Sequence, residues 1–132
     1  MKHKITLQVG QEFETAILKS GNSSLTFIRK NGFRKTYLDD DLFLCLAQIR
    51  REFPETKFLC KGAKLNVFPS RMCSQMSTGA VAYEVTLGKQ ATRKDIVHIF
   101  DFEDKDITTD ISEQIDFHRH WISFFVHKQT SL

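Results

Sequence analysis

His118 and His120, in the run Asp116-Phe117-His118-Arg119-His120-Trp121, are the residues whose type most invites a metal ion. The apolar spacing around them predicts a helix, and residues two apart on a helix point about 200° apart. The two therefore cannot serve one ion without ligands from elsewhere, and histidines packed beside Trp121 are the simpler reading. Cys60, Ser70 and Cys73 are candidate nucleophiles. A nucleophile needs a base in reach and a donor for the oxyanion, but no Gly-x-Ser-x-Gly and no family cysteine signature surrounds these three. Pro69-Ser70 reads as a turn or as the cap of a short helix over 71–76, and Cys60 reads as core. His98 and Asp101 have the types for acid–base work; a histidine on a sheet face and a loop carboxylate explain them as well. Gly62, Gly79 and Gly88 stand too far apart to cradle a phosphate. Cys45, Cys60 and Cys73 match no zinc spacing and, being three, no disulfide framework. They are expected to be buried or reduced thiols of a cytoplasmic protein. No catalytic residue, cofactor or metal is expected.

Charge is the other chemistry available. Residues 1–94 carry 16 Lys/Arg against 8 Asp/Glu, a balance of +8, while residues 95–132 carry 3 against 8, a balance of −5. The acidic run is Asp101, Glu103, Asp104, Asp106, Asp110 and Glu113, continued by Asp116 and relieved by Lys105. Such a run can steer a charged partner, or it can be a solvated loop and helix start. Arg29, Lys30, Arg34 and Lys35 flank an Asn-Gly turn with Phe33 between them, followed by Arg50, Arg51, Lys57, Lys61, Lys64 and Arg71. A basic hairpin tip of this kind can grip phosphate; the same charges also keep strand edges soluble.

The elements that must position these groups follow from periodicity. Alternation over residues 2–9 predicts a strand. Residues 12–19 fit a strand or a short helix, with Phe13, Thr15 and Ile17 on one side. Two β-rich runs around Asn31-Gly32 predict a hairpin over 25–38 closed by a type I′ turn. Asp39-Asp40-Asp41 opens a helix whose stripe is Leu42, Cys45/Leu46, Ile49 and Phe53, ended by Pro54, with Arg50 mostly off the stripe. Lys57 to Cys60 is a short strand, and 63–79 is the longest irregular stretch. Strands are expected over 80–87 and 95–102, with a helical turn near Thr92 as the alternative to the start of the second. Asp110 or Thr109 caps a last helix to about His127, its stripe Ile111, Ile115, Trp121/Ile122 and Phe125. The fold class is α+β: one domain over 1–132, with a mostly antiparallel sheet, an N-terminal β-meander, a central helix and a C-terminal helix on the sheet. At 132 residues, with 41% hydrophobic and 27% charged, the chain can bury a core without staples. It has no apolar stretch long enough to span a membrane, and its start lacks the apolar core of a signal peptide.

Phe58-Leu59-Cys60-Lys61-Gly62-Ala63, Val67-Phe68-Pro69-Ser70-Arg71-Met72, Gly79 to Gly88, Asp95 to Asp101 and Glu113-Gln114 with Trp121 carry a resemblance. Over about residues 57–125 the chain resembles a family of small single-domain bacterial proteins. Members of that family are similar to the immunity proteins encoded beside polymorphic and contact-dependent growth-inhibition toxins. The resemblance implies a non-catalytic protein that neutralises a cognate toxin, such as a nuclease or tRNase domain, by direct contact. It transfers no active-site residue. An acidic surface suits a nuclease cleft, which is basic because it holds phosphates, so Asp101 to Glu113 are the expected contact residues. A nucleic-acid module using the 25–38 hairpin and a small enzyme around the 60–73 loop are the other two expectations.

Overall fold

The structure is a computed structural model; it describes residues 1–130, and their side chains except at 75, 76 and 127–130. Its core is a five-stranded antiparallel sheet formed by β1 (Lys2–Val9), β2 (Glu12–Gly21), β3 (Ser24–Ile28), β4 (Arg34–Leu38) and β5 (Thr56–Leu59). The spatial order is β4-β3-β2-β1-β5. Alternation sends Ile5, Leu7, Ala16, Leu18, Leu25, Phe27, Tyr37 and Phe58 to one face, all buried. Helix α1 (Leu42–Glu52) lies on that face against β3 and β4. The ambiguous 12–19 run is strand, because pairing with both β1 and β3 satisfies its backbone groups.

The hairpin forms, but its turn is not the expected type I′. The Arg29 carbonyl accepts from Gly32 N–H at 3.1 Å, and Arg29 N–H donates to the Phe33 carbonyl at 2.9 Å. Of the Asn-Gly pair only Gly32 has positive φ, at 94°. This is a three-residue loop with glycine in the left-handed position after the turn. The Asn31 side chain is used instead to accept Phe33 N–H at 2.9 Å.

Asp41 caps α1, accepting from the N–H groups of Phe43 (2.8 Å) and Leu44 (3.3 Å) and from the Ser74 hydroxyl. Ser74 belongs to α2 (Arg71–Ser77), a short helix inside the stretch expected to be irregular, with Ser70 as its N-cap. Gly79, at φ 83°, closes this corner: a Cβ there would stand 2.1 Å from Asp41 Oδ1, so only glycine fits.

A second, three-stranded sheet has the order β6 (Val67–Phe68), β7 (Val81–Glu84), β8 (Ile96–His98). Both long strands expected here are shorter than their alternation suggested. The 80–87 strand ends at Glu84. In place of a strand start at 95, a 3-10 turn over Arg93–Asp95 is closed by a capping box in which Thr92 and Asp95 bond reciprocally. Phe102, expected on a strand face with Ile96, His98 and Phe100, lies outside any strand. The last helix, α3 (Ile111–Thr130), packs on β6. One hydrophobic cluster joins both sheets and α1, from Ile5 to Phe100. Among the described residues no helix is long and apolar enough to cross a membrane.

Candidate functional site

The acidic run becomes a rail. After buried Ile99 and Phe100, the chain from Asp101 to Thr108 lies alongside residues 59–65. Lys61 N–H donates to the Asp101 carbonyl (2.8 Å), Glu103 N–H to Leu59 (3.3 Å), Leu65 N–H to Asp106 (2.8 Å) and Thr108 N–H to Ala63 (2.9 Å). Cys60–Phe102 and Lys64–Ile107 are antiparallel bridges within it. A loop tied by four backbone bonds loses little entropy when it meets a partner.

The six expected contact residues divide in two. Glu103 is occupied internally. With Glu84 it forms a four-charge cluster around Lys61 (2.7 Å to Glu84, 3.0 Å to Glu103) and Lys64 (3.4 Å and 2.7 Å). The hydrogen bond from Lys64, with help from Lys61 and against the cost of burial, pulls the Glu103 carboxyl down to about 2. Asp110 caps α3, accepting Ser112 N–H at 2.8 Å, and that backbone bond lowers its pKa. Glu113 accepts the Thr108 hydroxyl. Asp110 and Glu113 are exposed while making those bonds; Asp101, Asp104 and Asp106 are exposed with no such carboxylate bond among the described residues. Between Asp101 and Asp104, Phe102 is 61% exposed. Its flanking carboxylates were the signal in the sequence; its place outside a strand was not.

The rail is fixed to the body through a buried polar knot that periodicity misplaced. Arg50, expected off the helix stripe, is 2% exposed. Its guanidinium donates to Gln114 Oε1 (2.6 Å), the Thr108 carbonyl (2.7 Å) and the Gly62 carbonyl (3.4 Å). Gln114, fully buried on α3, donates through Nε2 to the carbonyls of Gly62 (3.0 Å), Lys64 (2.9 Å) and Val67 (3.2 Å). The docked stripe of α3 is thus Ile111, Gln114, His118, Trp121 and Phe125, while Ile122, expected inside, is 40% exposed.

The candidate catalytic groups are engaged elsewhere. Burial pushes the Cys60 thiol up to about 12 and the Cys45 thiol up to about 11, so neither supplies a thiolate at neutral pH. The Ser70 hydroxyl accepts Cys73 N–H at 3.1 Å as a helix cap. His98 Nδ1 accepts Phe100 N–H at 3.3 Å, and its ring lies 5.4 Å from that of His3. Burial, then the charge of His98, lowers the His3 pKa, against a smaller opposing effect of Asp101. His118 stacks between Phe68 and Trp121, with centroids 4.7 and 5.6 Å away, whereas His120 packs on Phe124. Among the described residues no group of three or more His, Cys, Asp or Glu is placed to hold a metal.

The basic hairpin is also partly spent. Arg29 pairs with Glu14 and lies over the Phe53 ring at 5.3 Å; Lys35 pairs with Glu52 and lies 5.0 Å from the Tyr37 ring. Phe33 is half-buried, in T-shaped contact with Phe27 and Phe53 and packed against the core, so much of its ring is committed inward. Lys30, Arg34, Arg51, Lys57 and Arg71 remain exposed. No family model matches the chain, and no curated protein matches it.

Proposed function

We propose that this chain is a non-catalytic inhibitor that binds a toxin domain through the 101–106 rail, in the manner of a bacterial immunity protein acting in the cytoplasm. The observation that supports this reading is Phe102, 61% exposed between Asp101 and Glu103 on a loop held by four backbone bonds. Aromatic anchors surrounded by charge are the usual centres of tight protein contacts. The carboxylates of Asp101, Asp104 and Asp106 speed and orient encounter with a basic cleft. The net charge of +3 does not oppose this, because the local field at the rail is set by the nearest groups, within about 8 Å at physiological salt. The Glu103 cluster and the Arg50–Gln114 knot hold the rail in shape without themselves touching the partner.

Co-expression tests the reading. The toxin domain encoded beside this chain's gene is induced in a sensitive host with and without the chain. Growth is expected to be restored by the wild type and lost with Phe102→Ala or with Asp104→Lys combined with Asp106→Lys. Phe102→Ala and Asp104→Lys should keep the wild-type melting temperature, since these side chains are exposed; Asp106 has φ 55°, so Asp106→Lys carries a backbone cost that Asp106→Asn, the control for the charge, avoids. Rescue that survives every rail variant would contradict the assignment of the rail, and no rescue by the wild type would contradict the function.

A further inference from the structure

The face of the five-stranded sheet opposite α1 carries five cations and no carboxylate. The pairing register places Lys2, Lys4, Lys19, Arg34 and Lys57 on it. All five are exposed, and none makes an ion pair among the described residues. Glu12 and Glu14 share their strand with Lys19, but strand alternation points them to the other side. The other outward strand positions are uncharged, and among them Phe13 on β2 is 64% exposed. Carboxylates begin only beyond the sheet, at Asp39 and Asp40 after β4, at Glu55 just before β5, and at Asp101 and Glu103 along the end of β5.

Two details show that this is more than a solubilising surface. Lys2 and Lys19 stand directly opposite each other, with Lys4 two residues along the same face. Like charges at directly paired positions destabilise an antiparallel sheet, so the arrangement costs the free protein stability that an anionic ligand would return. Phe13 pairs with Gln8, which pairs with Lys57, so the exposed ring shares a row with a cation.

We infer that this sheet face binds single-stranded nucleic acid, with Lys2, Lys4, Lys19, Arg34 and Lys57 meeting its phosphates and Phe13 stacking on a base. Rows of outward residues are spaced roughly 7 Å apart along the strands, a span that suits an extended single strand. A flat face suits splayed bases on an aromatic platform, whereas a duplex groove calls for a protruding helix or ribbon. This surface is distinct from the rail, so the two readings stand or fall separately.

Fluorescence anisotropy of a labelled single-stranded oligonucleotide, titrated with the full chain at low salt, tests the inference. Binding is expected to weaken steeply as salt rises. Lys4→Gln or Lys19→Gln should each lower the magnitude of the log–log salt slope by about 0.7. Lys19→Gln removes a like-charge pair, so loss of folding cannot explain its effect. Phe13→Ala should weaken binding about fivefold or more with the slope unchanged, and leave binding of a heparin oligosaccharide, which has charge but no bases, as it was. Lys89→Gln with Lys94→Gln, off the face, should change nothing, and neither should Phe102→Ala. Absence of binding at low salt overturns the inference. So does binding indifferent to Phe13, which marks a general polyanion or acidic-protein surface, or binding that depends on Lys89 and Lys94 instead.

Discussion

Arg50 brings a guanidinium into a site that is 2% exposed and bonds its two terminal nitrogens to one amide oxygen and two backbone carbonyls, with no carboxylate among its bonds and Nε left unpaired. Replacing it takes the donor from Gln114 Oε1 and the Thr108 carbonyl, while the Gly62 carbonyl keeps its bond from Gln114, so Arg50→Met is expected to cost about 2–4 kcal/mol in urea unfolding. Gln114→Leu is expected to cost a similar amount, and the double variant less than the sum, because each removes the same bond; strict additivity would contradict the knot. Helical periodicity could not reveal either residue, since it sorts side chains by polarity and these two are polar groups inside. Glu103 gives a pH signature. Its folded pKa of about 2 lies below its ordinary 4.5. The unfolded carboxylate therefore binds protons first: the stability it contributes is complete above about pH 4.5 and lost as pH falls toward 2. Glu103→Gln is expected to lower stability near neutral pH by on the order of 1 kcal/mol, with the gap to wild type closing as pH drops through that window.

At the scale of elements, what the sequence made legible was whatever local chemistry decides. The Asp41 cap, the Pro54 stop, the Ser70 cap and the hairpin around Asn31-Gly32 all rest on neighbours within a few residues. The exposure of Phe102 and the pairing of Lys61 and Lys64 with Glu84 and Glu103 depend on segments about 20 to 40 residues apart, which no period encodes. The docking of α3 lies between these cases. Ile111, Trp121 and Phe125 of its stripe were legible, but the buried Gln114 and half-buried His118 between them were not expected on it. His118 is half-buried with no partner for Nδ1, and burial lowers its pKa from 6.5. Its stabilising neutral form is complete above pH 6.5 and lost as pH falls through the lowered value. Trp121, the single tryptophan, stacks on His118 and donates to the Lys89 carbonyl at 2.9 Å, so it reports on this contact. Its fluorescence is expected to shift as pH falls below 6.5 in the wild type and to stay level in His118→Phe. The same shift in both proteins would show that α3 docking does not depend on His118.

Across the whole molecule, opposite charges are laid on different surfaces: an acid-free sheet face on one side and an acidic rail where residues 101–106 pass residues 59–65. A chain with a net charge of +3 can therefore present an anionic contact site without cancelling it. One core cluster joins the two sheets, so unfolding followed by far-ultraviolet circular dichroism and by Trp121 fluorescence is expected to give coincident transitions; separated midpoints would mean that the rail side melts alone. The most direct test of the account is titration calorimetry of the chain against the purified product of the gene beside its own, which the proposed function takes to be the toxin. The account predicts a 1:1 complex, weakened about tenfold or more by Phe102→Ala and formed more slowly, with less dependence on salt, by Asp104→Lys with Asp106→Lys. A complex whose affinity is unmoved by all three substitutions would contradict it.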